Sequence, residues 1–235
     1  MKLATGIEML EIEANLTVGP GIIHPVLIWD DQEVILVDTG FPGQFGQFAE
    51  AVEKAGVSIE KLSKIIVTHH DLDHIGGLSG ILKNSPQKIQ ILAHEQEKPY
   101  IEGEQLPTKM PRRDMISQEQ LEKMKIIYGN QLDKALVDDE TLPCCGGIEV
   151  IHTPGHTPGH ICLFLKREKI LIAGDAMNIV DGKLLGPAPR FTYDMKRAMD
   201  SLRKLTGYDI QTVICYHGGL CQERVNQRIV EIINA

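Results

Sequence analysis

The chain has 235 residues, 43% of them hydrophobic, and a formal net charge of -8 at pH 7. This length and apolar content are enough to build one large α/β domain around a sizeable buried core, so we expect a single domain over residues 1–235. Lysines and arginines are spread thinly along an acidic chain, which leaves no basic surface for a phosphate backbone and predicts no nucleic acid partner.

The composition also argues against a secreted or membrane protein. Residues 1–14 lack a basic segment followed by an apolar stretch, so no signal peptide is expected, and no apolar run is long enough to cross a bilayer. The five cysteines are odd in number and form no CxxC pair, which predicts free thiols, with Cys162 and Cys215 packed in the core. We therefore expect a cytoplasmic protein without a membrane partner.

Hydrophobic periodicity predicts a β-meander at the start of the chain. Residues 7–14 alternate as a half-buried strand does, and the apolar runs Val26–Trp29 and Val34–Val37 predict a hairpin that turns at Asp30-Asp31. The pattern then predicts a helix at 43–56, a strand at 64–68, a helix at 75–83 and a strand at 89–93.

The second half repeats this logic after a polar insertion. Residues 95–139 are charged and proline-containing, with a predicted helix at 118–128, and we interpret them as an inserted, lid-like segment. The predicted elements that follow are strands at 148–152, 160–165 and 169–173, a helix at 194–205, a strand at 212–215 and a helix at 224–233. Two clusters of strands, each ending in helices, favour an α/β fold of two stacked sheets with helices outside.

The densest group of chemically active side chains follows the predicted strand at 64–68. Three histidines and two aspartates lie within the six residues from His69 to His74. A turn that leaves a strand can aim His69 and Asp71 at one point, and Asp73 and His74 at another, and borderline divalent metals take such nitrogen and oxygen ligands. The alternative is a polar capping turn in which Asp73 caps the helix that follows.

Three further segments place a histidine or an aspartate after a predicted strand. His156 lies in the rigid Pro/Gly turn at 153–160, Asp175 ends an apolar run, and His217 follows the run Thr212–Cys215. Each has an ordinary alternative when taken alone, namely a solvated loop histidine, a helix cap and a structural histidine.

Together and in this order, the four segments resemble the metallo-β-lactamase superfamily over nearly the whole chain, from the turn at 37–40 to His217. The resemblance implies a four-layer αββα sandwich of two similar halves, with metals along the open edge between the sheets. It implies one metal held by His69, Asp71 and His156, a second held by Asp73, His74 and His217, a bridging Asp175, and Asp38 supporting the ligands through hydrogen bonds.

The chain departs from the family's usual His-x-His-x-Asp-His pattern at one position. Asp71 stands where the second histidine is usual, so Asp71, Asp73 and Asp175 bring three negative charges to two divalent cations. A more anionic set of ligands shifts the metal preference towards harder ions. We expect two divalent metals, zinc in the first place, with manganese or iron as alternatives.

The resemblance implies a hydrolase that uses a metal-bridging hydroxide to cleave an ester-type bond of a small molecule, a lactone or a thioester. Asp73 would bind metal and orient the attacking water, and Tyr193 would donate a hydrogen bond to the developing oxyanion. The alternatives are a phosphodiesterase on the same dinuclear site, an iron-dependent oxygenase or oxygen-reducing protein, and a non-catalytic protein of the same fold.

The insertion at 95–139 is the segment expected to contact the substrate. Its apolar members are expected to line a cleft for an organic group, and Arg112 and Arg113 to meet an anion; the alternative is a solvated face or an oligomer contact. These apolar members are Tyr100, Ile101, Leu106, Met110 and Met115.

Overall fold

Two mixed β-sheets lie at the centre of the fold, and their strands come from opposite halves of the chain. The computed structural model describes residues 1–17, 19–110 and 113–235. Within these residues the strands are β1 (Lys2–Ala4), β2 (Ile7–Met9), β3 (Ile12–Leu16), β4 (Gly19–Ile23), β5 (Val26–Trp29), β6 (Val34–Val37), β7 (Lys64–Ile66), β8 (Gln90–His94), β9 (Lys134–Leu136), β10 (Thr141–Leu142), β11 (Ile148–His152), β12 (Ile161–Leu165), β13 (Ile170–Ile172), β14 (Asn178–Val180), β15 (Lys183–Leu185), β16 (Thr212–Cys215) and β17 (Gly219–Cys221).

Short helices connect and cover these strands. The α-helices of the described residues are α1 (Phe45–Lys54), α2 (Leu72–Ile75), α3 (Leu78–Asn84), α4 (Lys98–Ile101), α5 (Gln118–Ile127), α6 (Met195–Leu202) and α7 (Val225–Ile233). Single 3₁₀ turns lie at Ile59–Lys61, Glu95–Glu97, Arg113–Met115, Pro189–Phe191 and Arg203–Gly207.

The first sheet has the strand order β1-β2-β5-β6-β7-β8-β9, and the second has the order β10-β11-β12-β13-β16-β17. Strands β6 to β9 run parallel, as do β13 and β16, while the other pairs of both sheets are antiparallel. Parallel strands end at the same edge, so the loops that follow β6, β7, β13 and β16 gather there. At this edge Ile161 N donates to Thr68 O at 3.1 Å, which ties the two sheets together.

Successive side chains of a strand point to opposite faces of its sheet, and the buried ones form three apolar layers. Inward side chains of both sheets, such as Ile35 and Leu163, form the central layer. The outer face of the first sheet packs on Phe48 of α1, and that of the second packs on Leu202 and on Ile229 of α7. Full burial of one such side chain contributes roughly 1.5–3 kcal/mol. The expected four-layer αββα sandwich is therefore the fold of this chain.

Most predicted elements lie where periodicity put them, and the differences have local causes. The strand predicted at 7–14 is two strands, because Leu10 N donates to Pro25 O at 2.8 Å and the chain leaves the sheet there. The helix predicted at 75–83 begins later, as α3, and a separate short helix, α2, precedes it; the two meet at Gly76-Gly77. A Cβ at Gly77 would lie 2.0 Å from Thr39 O, so only glycine lets the two turns approach. Cys162 and Cys215 are buried, as expected.

Candidate metal centre

Every side chain predicted to bind metal lies at the open edge between the sheets, either in a loop or in the short helix α2. Asp38 follows β6, and the segment 69–74 follows β7 and continues into α2. His156 lies in the loop from β11 to β12, Asp175 follows β13, and His217 follows β16. Residues far apart in the sequence therefore converge because parallel strands end at one edge.

The first group of donors consists of His69, His156 and Asp175, whose ligand atoms lie within 4.8 Å of one another. Asp175 Oδ2 lies 3.4 Å from His156 Nε2. Asp71 Oδ2 lies 3.3 Å from His69 Nε2 and 3.0 Å from His156 Nε2. The carboxylate at the unusual position thus reaches the same two imidazoles that the family resemblance assigns to one metal.

The second group consists of Asp73, His74 and His217, again with ligand atoms within 4.8 Å. Asp73 Oδ2 lies 3.1 Å from His217 Nε2. Asp175 Oδ1 lies 3.4 Å from His74 Nε2, and Asp175 Oδ2 lies 3.6 Å from His217 Nε2. Asp175 faces both groups, which is the placement that a bridging carboxylate requires.

Buried polar atoms without partners test whether these residues fit metal ions. Among the described residues, His69 Nε2, His74 Nε2 and Asp175 Oδ1 are buried and have no hydrogen-bond partner. Leaving such an atom unsatisfied costs about 1–3 kcal/mol, and buried polar groups are rarely left so. Imidazole nitrogens and carboxylate oxygens are the donors that borderline divalent metals take, so the set fits.

Asp38 fixes the orientation of one of these imidazoles. Its backbone adopts the left-handed region, with φ at 64°. Asp38 Oδ1 accepts from Thr68 N at 2.8 Å, and its Oδ2 lies 2.9 Å from His74 Nδ1. A carboxylate partner holds the proton on Nδ1, so His74 Nε2 keeps a free lone pair.

His160 has a positioning role that sequence reasoning did not assign. Its ring is buried, and its Nε2 accepts from Asp175 N at 3.0 Å. The Nδ1 proton is then available to Thr153 Oγ1 at 2.9 Å. Burial lowers the pKa of His160 well below its ordinary value, so the ring is neutral and holds the turn of Asp175. The signal available in the sequence was the second histidine of the 153–160 turn.

Electrostatics keep the carboxylates of the site ionised. Burial opposes ionisation of Asp71 and Asp175, but the surrounding imidazoles outweigh it and hold the pKa of both carboxyls well below its ordinary range. Burial likewise opposes a charge on His74, but Asp38, Asp73 and Asp175 raise its pKa well above its ordinary value. The three carboxylates around His74 therefore favour a cation there, either a proton on the ring or a metal at Nε2.

Lys109, in the inserted segment, also reaches the first group. Its ammonium contacts the carboxylate of Asp71 and lies 2.8 Å from His156 Nε2. A lysine in a charged segment carries no sequence signal for such a contact, and sequence reasoning missed it.

One cleft opens onto the metal edge, with a volume of about 330 Å³. Its described lining residues are Leu16, Thr17, Phe41, Asp71, Asp73, Asp175, Asn178, Val180, Ala188, Phe191 and His217. The hairpin of β3 and β4, the hairpin of β14 and β15, and the 3₁₀ turn at Pro189–Phe191 thus form its walls.

The apolar residues of the insertion that were expected to line a cleft do not line this one. Ile101 is buried in the core, Tyr100 stacks on His70 with ring centroids 4.1 Å apart, and Met115 is largely exposed. Arg112 and the side chain of Arg113 lie outside the described residues.

Tyr193 lies beside the site without lining the cleft in the described set of residues. Its backbone N donates to His156 O at 3.2 Å, while the residue is 62% exposed. Its role towards an oxyanion stays a prediction.

In the described part of the chain, no helix is both long and apolar enough to span a membrane.

The sequence is similar to a known family and to several of its members. The sequence profile described as "Metallo-beta-lactamase superfamily" matches residues 18–217. The chain is 32% identical over 203 residues to "Probable metallo-hydrolase YflN" of Bacillus subtilis (strain 168), covering 78% of this chain and 75% of that protein. It is 28% identical over 225 residues to an "N-acyl homoserine lactonase" of Bacillus sp, covering 81% and 80%.

Solved structures show the same fold. Metallo-beta-lactamase family protein TTHA1429 from Thermus thermophilus superposes with a TM-score of 0.73 at 23% identity, covering 99% of this chain and 80% of that one. A metallo-beta-lactamase from Pontibacter korlensis superposes with a TM-score of 0.74 at 15% identity, covering 100% and 97%.

Proposed function

Because the chain belongs to the metallo-β-lactamase superfamily, a family of metallo-hydrolases, we propose that it is a metal-dependent hydrolase of ester-type bonds in small apolar molecules, lactones or thioesters. The N-acyl homoserine lactonase among its relatives supports this substrate class. The observation that carries the proposal is the chemistry of the cleft at the metal edge.

The cleft is lined both by apolar side chains and by acidic donors. Leu16, Phe41, Val180, Ala188 and Phe191 form the apolar wall. Among its described lining residues none is a lysine or an arginine. A neutral acyl group is stabilised by apolar walls, whereas a phosphodiester brings a charge that these walls do not meet. The cleft therefore favours a lactone or thioester over a phosphodiester.

The histidine and aspartate donors of the site account for the proposed hydrolysis through the metals that they would hold. Two divalent metals, with zinc as the first choice and manganese or iron as alternatives, would bring the pKa of water near neutrality and polarise a substrate carbonyl. His69, Asp71 and His156 would hold one of them, Asp73, His74 and His217 the other, and Asp175 would bridge the two.

Asp73 would orient the attacking water. Tyr216 OH donates to the backbone carbonyl of Asp73 at 2.5 Å, and the Tyr216 ring packs on His74 with centroids 3.8 Å apart. This contact fixes the turn, so the Asp73 carboxylate faces the cleft beside His217. Tyr193, next to the loop of His156, is the candidate donor to the oxyanion.

The test is a substrate panel on the metal-loaded protein: N-acyl lactones, acyl thioesters and an aryl phosphodiester. We expect kcat/KM to be highest for a lactone or thioester and to rise with acyl chain length. Asp175→Asn should abolish turnover, and the surface variant Asp209→Asn should leave it unchanged; Tyr193→Phe should lower kcat with little change in KM. Cleavage of the phosphodiester alone, lost in Asp175→Asn, would replace this proposal with the phosphodiesterase alternative.

A further inference from the structure

The ammonium of Lys109 lies among the donor atoms of the first group. It contacts the Asp71 carboxylate and lies 2.8 Å from His156 Nε2, and the Lys109 side chain is 25% exposed. An ammonium has three N–H donors and no lone pair, so it donates to both atoms in the tautomer that carries the His156 ring proton on Nδ1. Lys109 therefore uses the oxygen and the nitrogen that the first metal would need.

The contact with His156 is incompatible with metal binding at the same atom. A neutral imidazole nitrogen has one lone pair in the ring plane, and it either accepts an N–H or binds a metal. While Lys109 donates to His156 Nε2, that nitrogen is not available as a ligand. One cation therefore has to leave before the other can bind.

Hydrogen bonds among Thr108, His70 and Glu97, here called the clamp, position Lys109 beside the first group. The neighbouring residue, Thr108, donates from its N to His70 Nε2 at 3.2 Å, and its Oγ1 lies 3.3 Å from the same atom. On its other side, the His70 ring pairs with the buried carboxylate of Glu97 through Nδ1, and His70 N donates to Glu97 Oε2 at 2.8 Å. His70, which follows His69 in the sequence, thus holds the inserted segment and leaves metal binding to its neighbours.

Glu97 joins the clamp to the loop of His156. Its second oxygen accepts from Thr157 Oγ1 at 2.7 Å and from Gly159 N at 2.7 Å, and the residue is fully buried. A buried carboxylate with every oxygen paired is costly to rearrange. The clamp therefore links the two donor loops to the segment that carries Lys109, and the position of Lys109 is built into the fold.

We propose that Lys109 is an internal cation that pairs with Asp71 and His156 in the metal-free protein and is displaced when a metal ion binds the first group. The inference rests on the metal centre of the proposed function and concerns its loading. Asp71 adds a negative charge where the family pattern has an imidazole, and Lys109 supplies the matching positive charge. The clamp keeps residue 109 beside the site after its ammonium has moved away.

Two opposite effects follow from removal of the ammonium. In the metal-free protein Asp71 loses its partner, so Lys109→Met is expected to lower the melting temperature. In metal uptake the competing cation is gone, so the same variant is expected to bind zinc about tenfold more tightly or more. A lysine with only a structural role would lower stability without tightening zinc binding.

The experiment compares the metal-stripped wild type with Lys109→Met, Lys109→Arg and the matched surface control Lys123→Met, whose lysine pairs with Glu119 on an exposed helix face. Melting temperature is measured without metal, and zinc affinity by competition with a chromophoric chelator. Expected are a lower melting temperature and tighter zinc binding for Lys109→Met, wild-type-like values for Lys123→Met, and affinity within a few-fold of wild type for Lys109→Arg, which retains the charge.

A second comparison isolates the pairing with Asp71. In an Asp71→His background the ammonium has no carboxylate to neutralise, so adding Lys109→Met should no longer lower the metal-free melting temperature. Unchanged or weaker zinc binding by Lys109→Met would overturn the displacement while leaving the metal centre intact. A wild type that binds no zinc, manganese or iron would overturn the centre and this inference together.

Discussion

The carboxylate of Asp38 lies 2.9 Å from His74 Nδ1, and this contact determines which nitrogen of His74 faces Asp73 and Asp175. Both groups are buried, so the pair is shielded from solvent and a single geometry is maintained. A metal held by the second group would depend on this relationship, although Asp38 is not one of the proposed ligands.

Replacing Asp38 by asparagine tests that dependence. Asparagine tolerates the left-handed backbone at φ 64° and keeps the size of the side chain. It is a weaker acceptor for the Nδ1 proton, so zinc affinity at the second group should fall by roughly 10–100-fold. Chelator competition measures this, with Asp209→Asn as the control. Unchanged affinity would mean that His74 is oriented by packing alone.

The apolar wall of the cleft predicts a dependence on acyl chain length. Phe191→Ala removes a large part of the wall and should raise KM for a long-chain substrate about tenfold, while a short-chain substrate is affected little. Steady-state kinetics on a chain-length series measure the difference, and Val137→Ala, at an exposed position outside the cleft lining, is the matched control. Equal effects on short and long chains would show that the acyl group binds elsewhere.

Two neighbouring glycines predict opposite effects of an added methyl group. Gly77→Ala would place Cβ 2.0 Å from Thr39 O, a backbone atom that cannot move away, so the free energy of unfolding should fall by about 1–3 kcal/mol or more. Gly80→Ala, within α3, meets no atom within 4 Å and should be neutral or stabilising by up to about 1 kcal/mol. Urea unfolding compares them, and equal values would contradict the close approach at Gly77.

Asp30 joins the two sheets and predicts a stability that depends on pH. Its Oδ2 accepts from Cys145 N at 2.8 Å, and its Oδ1 accepts from Gln32 N at 2.8 Å. These backbone hydrogen bonds, that from Gln32 first, lower the pKa of Asp30 from 3.8 to about 2. A lowered pKa means that the stabilisation is present above the unfolded value of 3.8 and is lost as the pH falls through about 2.

Unfolding of the metal-stripped wild type and Asp30→Asn at pH 6, 4 and 2 checks this sign. The wild type should be more stable than the variant at pH 6, and the difference should shrink between pH 4 and pH 2. The control is Asp31→Asn, at an exposed neighbour whose side chain accepts none of these hydrogen bonds. A difference that stays constant down to pH 2 would contradict the assignment.

The sequence predicted the strands and helices whose own residues show a clear hydrophobic periodicity. Strands β11 and β16 begin and end at the predicted residues: β16 is one buried apolar run, and β11 carries the apolar residues Ile148, Val150 and Ile151. Strand β4 and the hairpin β14–β15 were missed because they are short and carry mixed polarity. Pro20 and Gly21, which lie in β4, are typical of turns rather than of strands.

In the site too, some residues have a local sequence signal and others do not. The seven predicted donors share one edge because each follows a strand, and that relation is visible in the order of apolar runs and polar turns. Lys109 and Glu97 act through contacts that span 38 and 27 residues. Neither has a local pattern, because their roles come from the way the insertion folds back over the site.

The loading of metal tests the central claim most directly. The chain is purified without added metal, and bound metals are measured by elemental mass spectrometry for the wild type and for Asp71→Ala. We expect two equivalents in the wild type and a lower content in the variant, since Asp71 reaches the first group at 3.0 Å from His156 Nε2. One equivalent or none in the wild type, unchanged by the substitution and not restored on reconstitution, would contradict the dinuclear centre.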